Sequence, residues 1–433
     1  MLREYRELPR SVRILCVGSL INRAGSFVII FLTIYASEEL GYGVGFASAC
    51  LGVFGLGSMC GSILGGQAAD RIGRRPVMLL SLFGGAATLM AVGNATDRWA
   101  FMASVGCFAL VTDMYRPAAS AMVADVVSAN RRPHAFALLY ISMNLGFALA
   151  PPLGGLLAGI SYQLLFYADA LSMCLFGTII LLTIPESLGR KPMASNEASI
   201  TTQRALAVLV ADRTFLLFCA ATFLVAMVLM QCMSTLPIFL RQSGLSHLEF
   251  GLLMSINGIM IFLFQLPVTH WLSRFSAMKI MTVGGMLIGI GFGLCAIPSG
   301  MISGGMGFFA LTVLVWTLGE ILQAPFYQAI VTDLAPQRLR ASYLGVFGLS
   351  FSLALTIGAP LGGWILRTQG ATTLWLGAFS IAMVAAGLFA ALVAPVTARL
   401  NQTDRLESGV HDGGFGHPSP LAESEPAPLV STR

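Results

Sequence analysis

Four ionisable side chains lie where few charges belong. Arg23, Asp113, Arg116 and Glu320 each sit inside a long apolar stretch. Placing such a group in hydrocarbon costs about 2.5–3.5 kcal/mol on insertion scales, so each is expected to face a cavity or a partner. Asp113 and Arg116 are three residues apart and share a helical face. Counted back from Asp125 at about 1.5 Å per residue, they lie about 18 and 14 Å into their helix. Arg23 is about 15 Å into its own helix by the same measure, within reach of Asp113. A carboxylate beside a guanidinium in this setting is a candidate proton carrier. Glu320 lies about 20 Å from Asp333 along a second helix, with Gln323 and Tyr327 at helical spacing. It has no obvious basic partner in its half of the chain. A buried carboxylate without a counter-charge must take a proton or recruit a cation. Asp169, nearer the end of its stretch, reads as structural.

Uncharged polar residues complete a candidate substrate cavity: Asn22, Asn144, Gln231, Asn257, Gln265, Gln323 and Tyr327. Their neighbours Met227, Met230, Met233, Phe239 and Phe262 offer adaptable apolar surface. A broad apolar cavity with few polar anchors suits amphipathic or cationic compounds better than sugars. No GxxxxGK[ST] occurs, so ATP-driven transport is unsupported. The eight Cys lie in apolar stretches without a CxxC, which suggests neither a zinc site nor a disulfide framework. The chain is expected to be no enzyme, and to need no cofactor, metal or nucleic acid.

These residues need a membrane to hold them. Hydrophobic residues make up 56% of the chain and charged residues 10%, against roughly 25% charged in soluble domains. Mean hydropathy is +0.80. Stretches of about 20 apolar residues fall at 13–37, 46–69, 76–94, 99–124, 136–159 and 162–184, then at 214–240, 248–271, 279–298, 306–332, 341–366 and 372–397. They predict 12 transmembrane helices, spans 1 to 12, in an all-α membrane protein. Spans 4 and 5 are interrupted by charged or Pro-containing segments. Residues 1–184 form a first six-helix bundle and 214–398 a second. Between them, 185–213 is a polar loop whose end, Thr201 to Arg213, suits a short helix on the membrane surface. The tail 399–433, rich in Gly, Pro, Ser and Glu, is expected to be disordered. No cleavable signal peptide is visible.

Of the 25 Lys and Arg, Arg98, Arg241 and Arg367 fall on one side, and Arg23 and Arg116 within spans. The rest share the other side, among them Arg3, Arg6, Arg10, Arg13, Arg71, Arg74, Arg75, Arg131, Arg132, Arg190, Lys191, Arg338 and Arg340. The positive-inside rule puts that side, both termini and the central loop in the cytoplasm. The net charge of +5 is thereby explained by topology.

The chain also repeats itself. A shift of 208 positions, the separation of Pro117 and Pro325, aligns Pro117–Gly155 with Pro325–Gly363 without a gap. Asp125 meets Asp333, Arg132 meets Arg340, and Pro152-Leu153-Gly154-Gly155 meets Pro360-Leu361-Gly362-Gly363. Parallel repeats of this kind place a substrate site between two halves, near the membrane midplane. Glu320 falls opposite Thr112, next to Asp113, so each half contributes one acid at similar depth.

Between spans 2 and 3 stands Gly66-Gln67-Ala68-Ala69-Asp70-Arg71-Ile72-Gly73-Arg74-Arg75. This resembles the loop signature of the major facilitator superfamily, G-x-x-x-D-R-x-G-R-R, and the resemblance covers all 12 spans. A worn copy, Ser273-Arg274-Phe275 before Lys279, follows span 8. The resemblance implies a cytoplasmic gate in which Asp70, Arg74 and Asp125 cluster. Gly146 to Gly155 in span 5, G-F-A-L-A-P-P-L-G-G, is similar to the Gly-Pro signature of proton-coupled drug antiporters, with Ala150 in place of a Gly. Gly146, Pro151, Pro152, Gly154 and Gly155, with Pro360, Gly362 and Gly363 in span 11, would then form a hinge that seals one side. The usual Arg of span 4 is absent from its motif position, and Arg116 is a substitute in kind.

The expected function is proton-coupled efflux of small amphipathic or cationic compounds by alternating access. The setting is the bacterial inner membrane, and the protein is expected to work as a monomer. A uniporter, or a carrier of a sugar or amino acid on the same fold, is the alternative. A non-transporting receptor is a weaker one, since no extramembrane sensing domain is visible.

Overall fold

The computed structural model describes residues 8–128, 132–187, 208–272, 274–297, 305–336 and 339–399. Eleven helices among them are long and apolar enough to cross a membrane. They are Arg10–Glu39, Val44–Ile72, Arg74–Asn94, Leu138–Ile160, Tyr162–Thr183, Arg213–Gln242, His247–Gln265, Ala277–Leu294, Gly305–Leu334, Tyr343–Thr368 and Ala371–Arg399. They answer to spans 1, 2, 3, 5, 6 and 7 to 12. Span 4 is present but split into Arg98–Asp113 and Tyr115–Val126. Pro117 explains the split, because it has no N–H for the carbonyl of Asp113 four residues earlier. Pro151, Pro152, Pro267, Pro325 and Pro360 lie inside helices that run on through them. Residues 208–211 are helical. The rest of the expected surface helix, the tail beyond Arg399, and Arg3, Arg6, Arg131, Arg190, Lys191, Ser273 and Arg338 lie outside the described residues.

Spans 1 and 7 are broken at matching positions. Span 1 ends its first segment at Ala24 and resumes at Val28, continuing through Ile34 and a π-helical stretch, Tyr35–Glu39. Gly25 stands at the break, where Ser172 of span 6 leaves no room for a side chain. Span 7 runs Arg213–Leu229, turns through Met230–Cys232, and resumes at Thr235. Arg23 and Gln231, at the two breaks, are related by the same 208-residue shift as the repeat.

Within the first half, span 2 packs on span 4, span 1 on span 5, and span 3 on span 6. Within the second, span 9 packs on spans 10 and 12, span 8 on span 10, and span 7 on spans 11 and 12. The halves meet along two seams, span 5 with span 8 and span 2 with span 11.

Glycine lets both seams close. A Cβ at Gly155 would fall 2.6 Å from the His247 carbonyl oxygen, and one at Gly258 would fall 2.6 Å from the Ala148 Cα. A Cβ at Gly52 would meet the Pro360 ring at 2.6 Å, and one at Gly55 would meet Thr356 Oγ1 at 2.7 Å. Gly251 packs on the Pro151 carbonyl, and Gly363 on Ser48. All these contacts lie in the half of the molecule away from Arg71, Arg74, Arg75 and Arg132, which mark the basic end. Continuing the seam face of span 11 toward that end reaches Gly348 and Gly345, where a Cβ would meet nothing within 4 Å. The halves are sealed at the Arg-poor end and part toward the basic end.

Candidate functional site

Glu320 lies on span 10 against span 8, partly buried, one helical turn after Trp316. Its Oε2 accepts a 2.8 Å hydrogen bond from Asn257 Nδ2 of span 8. The same amide nitrogen donates to Thr317 Oγ1 at 3.2 Å. Asn257 is buried and points its amide at one helix only, so it fixes the carboxylate of Glu320 in place. Tyr140 of span 5 and Cys232 of span 7 lie within electrostatic range of Glu320. Among the described residues no Lys or Arg pairs with Glu320. Gln265 donates from Nε2 to the Ile321 carbonyl at 3.1 Å and to Thr269 Oγ1 at 3.2 Å, while its Oε1 is buried and unpartnered.

Three expected cavity residues are bonded elsewhere. Gln323 is 0% exposed; its Nε2 donates to the Met281 carbonyl of span 9 at 2.7 Å, and its Oε1 accepts from Tyr327 Oη at 2.7 Å. The Tyr327 ring packs among Phe218, Phe347 and Phe351. Gln323 and Tyr327 thus bond to each other and pack inside the second half, with Tyr327 within electrostatic range of Glu320. Gln231 is likewise saturated. Its Nε2 donates to the carbonyls of Met227 at 3.0 Å and Gly358 at 2.9 Å, and its Oε1 accepts from Ser234 and Thr235. It bridges the break in span 7 to span 11, where Gly362 makes room for its head group.

In the first half, Arg23 and Asp113 do not form an ion pair within 4 Å among the described residues. Arg23 stands at the break in span 1, pressed against Gly146 of span 5, whose Cβ would meet its own at 2.6 Å. Arg116, Asp113, Tyr115 and Asp169 are its titratable neighbours. Asp113 ends the first segment of span 4, and Arg116 is exposed. Asn144 donates to the Tyr140 carbonyl at 2.9 Å. Asn22 keeps a buried, unpartnered Nδ2.

The charge cluster at the basic end is assembled around Arg74. Its Nε donates to Asp125 Oδ2 at 2.9 Å, its Nη1 donates to the Ala69 carbonyl at 2.8 Å, and the same nitrogen stands 3.4 Å from Asp70 Oδ1. Gly73 turns the chain at φ +108°, a region open to glycine. Glu186, not singled out in the sequence, caps span 3 by accepting from the backbone N–H of Arg74 and Arg75, each at 3.0 Å. Arg75 donates to the Leu181 carbonyl at 2.5 Å, and Ser187 Oγ donates to Asp125 at 2.8 Å. Spans 2, 3, 4 and 6 are thus tied together. Arg71 is exposed, and Gly66 lies 3.9 Å from the Pro117 ring by its would-be Cβ.

At the Arg-poor end, a second lock joins the halves. Arg241 of span 7 pairs with Glu38 of span 1 at 3.2 Å. The Tyr162 hydroxyl of span 6 lies 2.6 Å from His247 Nε2 of span 8. The Phe31 and Phe250 rings meet edge to face at 5.2 Å. No sequence signal marked these residues, since a loop Arg and a helix-end Glu look alike whether paired or solvated.

The fold and the chain have known counterparts. The chain is 26% identical over 412 residues to a "Na(+), Li(+), K(+)/H(+) antiporter" of Planococcus maritimus, covering 87% of this chain and 95% of that one. It is 23% identical over 355 residues to "Multidrug resistance protein MdtH" of Escherichia coli (strain K12 / DH10B), covering 81% and 85%. A crystal structure of a POT family transporter in complex with 5-aminolevulinic acid superposes at TM-score 0.77 with 18% identity, over 90% of this chain and 97% of that one. The Major Facilitator Superfamily profile matches residues 15–358 and 233–431. With that match over most of its length and its two six-helix halves, this chain belongs to the Major Facilitator Superfamily and is a multi-pass secondary transporter, not an enzyme.

Proposed function

We propose that the protein exports small amphipathic or cationic compounds in exchange for protons, with its basic end and both termini in the bacterial cytoplasm. The observation that carries this reading is Glu320. Its carboxylate is held by the Asn257 amide and lacks a basic partner among the described residues. A partly desolvated charge in that state is costly until it gains a proton or a cation. Proton and cationic substrate therefore compete for one carboxylate, which is the simplest form of exchange. The cleft parts toward the basic end, where a cytoplasmic compound would enter. The multidrug resistance protein among the relatives is consistent with this class of substrate.

The antiporter of Na(+), Li(+) and K(+) among the relatives favours a second reading, in which Glu320 with the oxygens of Asn257 and Thr317 takes an alkali cation instead. One assay separates them. Everted vesicles carrying the protein are given a pH gradient, then tetraphenylphosphonium, a neutral lipophilic dye, Na+ or K+. The expected outcome is proton movement on adding tetraphenylphosphonium, lost in Glu320→Gln, with handling of the neutral dye unchanged. A response to Na+ or K+ alone selects the second reading. Equal responses in wild type and variant remove Glu320 from recognition.

A further inference from the structure

Asp169 is a buried carboxylic acid inside span 6. It is 2% exposed on span 6, with spans 1, 3 and 5 around it. Its Oδ2 accepts from the backbone N–H of Val28 at 3.2 Å, the first residue of span 1 beyond the break. Its Oδ1 is buried without a partner. The neighbouring N–H of Phe27 also faces the carboxylate, but it donates to the Gly25 carbonyl at 2.9 Å. Ser172 turns its hydroxyl to the Asp169 carbonyl at 2.8 Å, not to the carboxylate. The charged group acting on Asp169 is Arg23, on the other side of the same break, and Arg23 in turn feels Arg116, Asp113 and Tyr115. Most buried side-chain polar atoms find a partner, and an orphaned one costs about 1–3 kcal/mol.

The segment that Asp169 holds is the one that seals the Arg-poor end. Residues 28–39 carry Phe31 against Phe250 and Glu38 against Arg241. A break at residues 25–27 separates this segment from Arg10–Ala24. We propose that Asp169 is a proton-coupling residue whose protonation state controls how firmly the far segment of span 1 is held. As a carboxylate it grips Val28 through a charge-assisted bond, the stronger kind. With a proton on Oδ1 that grip weakens, the segment is freed at the break, and the contacts at Phe31 and Glu38 loosen with it. Arg23, which acts electrostatically on both Asp169 and Asp113, would carry the change across the break in span 1. The inference rests on the proton-exchange reading above and assigns to Asp169 the step that joins proton occupancy to the seal.

The test needs no transported compound. Purified protein in lipid is titrated while two signals are followed. One is the infrared band of protonated carboxyl groups; the other is amide hydrogen exchange over residues 28–39, corrected for intrinsic pH dependence. The expected result is a titrating band absent from Asp169→Asn, with exchange rising about tenfold as the band grows in wild type and staying flat in the variant. An identical band in both proteins overturns the proposal, as does exchange that ignores the band. If Asp169→Asn does not accumulate, Asp169→Glu serves: a displaced midpoint supports the proposal and an unchanged one overturns it. Because protonation and mobility are read directly, failure here is distinct from failure of the efflux reading, which the vesicle assay decides.

Discussion

Arg74 holds three separate oxygens at once, and they differ in exposure. The Asp125 side chain is 23% exposed and Asp70 74% exposed. Asp125 is therefore the anchor, and Asp70 is the more exposed member of the cluster. A solvated pair such as Asp70–Arg74 contributes about 0–1 kcal/mol. Asp70→Asn is accordingly expected to leave expression and thermal stability near wild type while transport falls at least about tenfold, as a gate residue requires. Normal transport in that variant would reduce Asp70 to a topological marker. Asp70 and Arg74 were legible in the sequence because they lie in one short loop of fixed spacing, and Asp125, 51 residues beyond Arg74, came only with the family resemblance. Glu186 was not legible, because it acts on backbone N–H groups 112 residues away, and no side-chain pattern records that. Gln231 and Gln323 misled for a related reason: an amide bonded to a carbonyl and an amide facing a cavity leave the same letter.

Spans 5, 8, 2 and 11 approach so closely that their seams are made largely of backbone. A side chain at Gly155 has nowhere to go, since the His247 carbonyl and Leu248 occupy its place. Gly155→Val should therefore wedge spans 5 and 8 apart, at an overpacking cost of about 1–3 kcal/mol. Helix content by circular dichroism should stay unchanged. Disulfide cross-linking of Glu38→Cys with Arg241→Cys should drop in the same background, and cross-linking at the original yield would refute the wedge. The spans themselves could be read from apolar length alone, and the split in span 4 follows from Pro117. The breaks in spans 1 and 7 could not, because Gly25 and Gln231 are ordinary residues of apolar helices until Ser172 and Gly362 are seen against them.

Two six-helix units, locked at one end and parted at the other, give the molecule its working geometry. The lock is testable as a charge pair between units. Exchanging the partners, Glu38→Arg with Arg241→Glu, should restore most of the transport that either single change removes. The coupling in that cycle should be about 0.2–1 kcal/mol, as for a pair with 23% and 36% exposed side chains. Singles that behave additively in the double variant would show that the two residues act apart. At this scale the sequence was most informative, since repeat, loop signature and Arg distribution all point to two like-oriented halves. It was silent on which end is shut, because closure depends on contacts between residues about 200 positions apart, such as Glu38 with Arg241.

The lock and the glycine seams answer differently to brine. The charges of Glu38 and Arg241 stand 3.2 Å apart at a wet edge, and at about 1 M salt the screening length shrinks to about 3 Å. Their attraction fades there. The contacts of Gly155, Gly258, Gly52 and Gly55 are dispersion between uncharged atoms, which dissolved ions do not screen. Salinity thus tunes the latch and spares the gasket: in a strongly saline medium the glycine packing persists while the energy needed to part the rim declines.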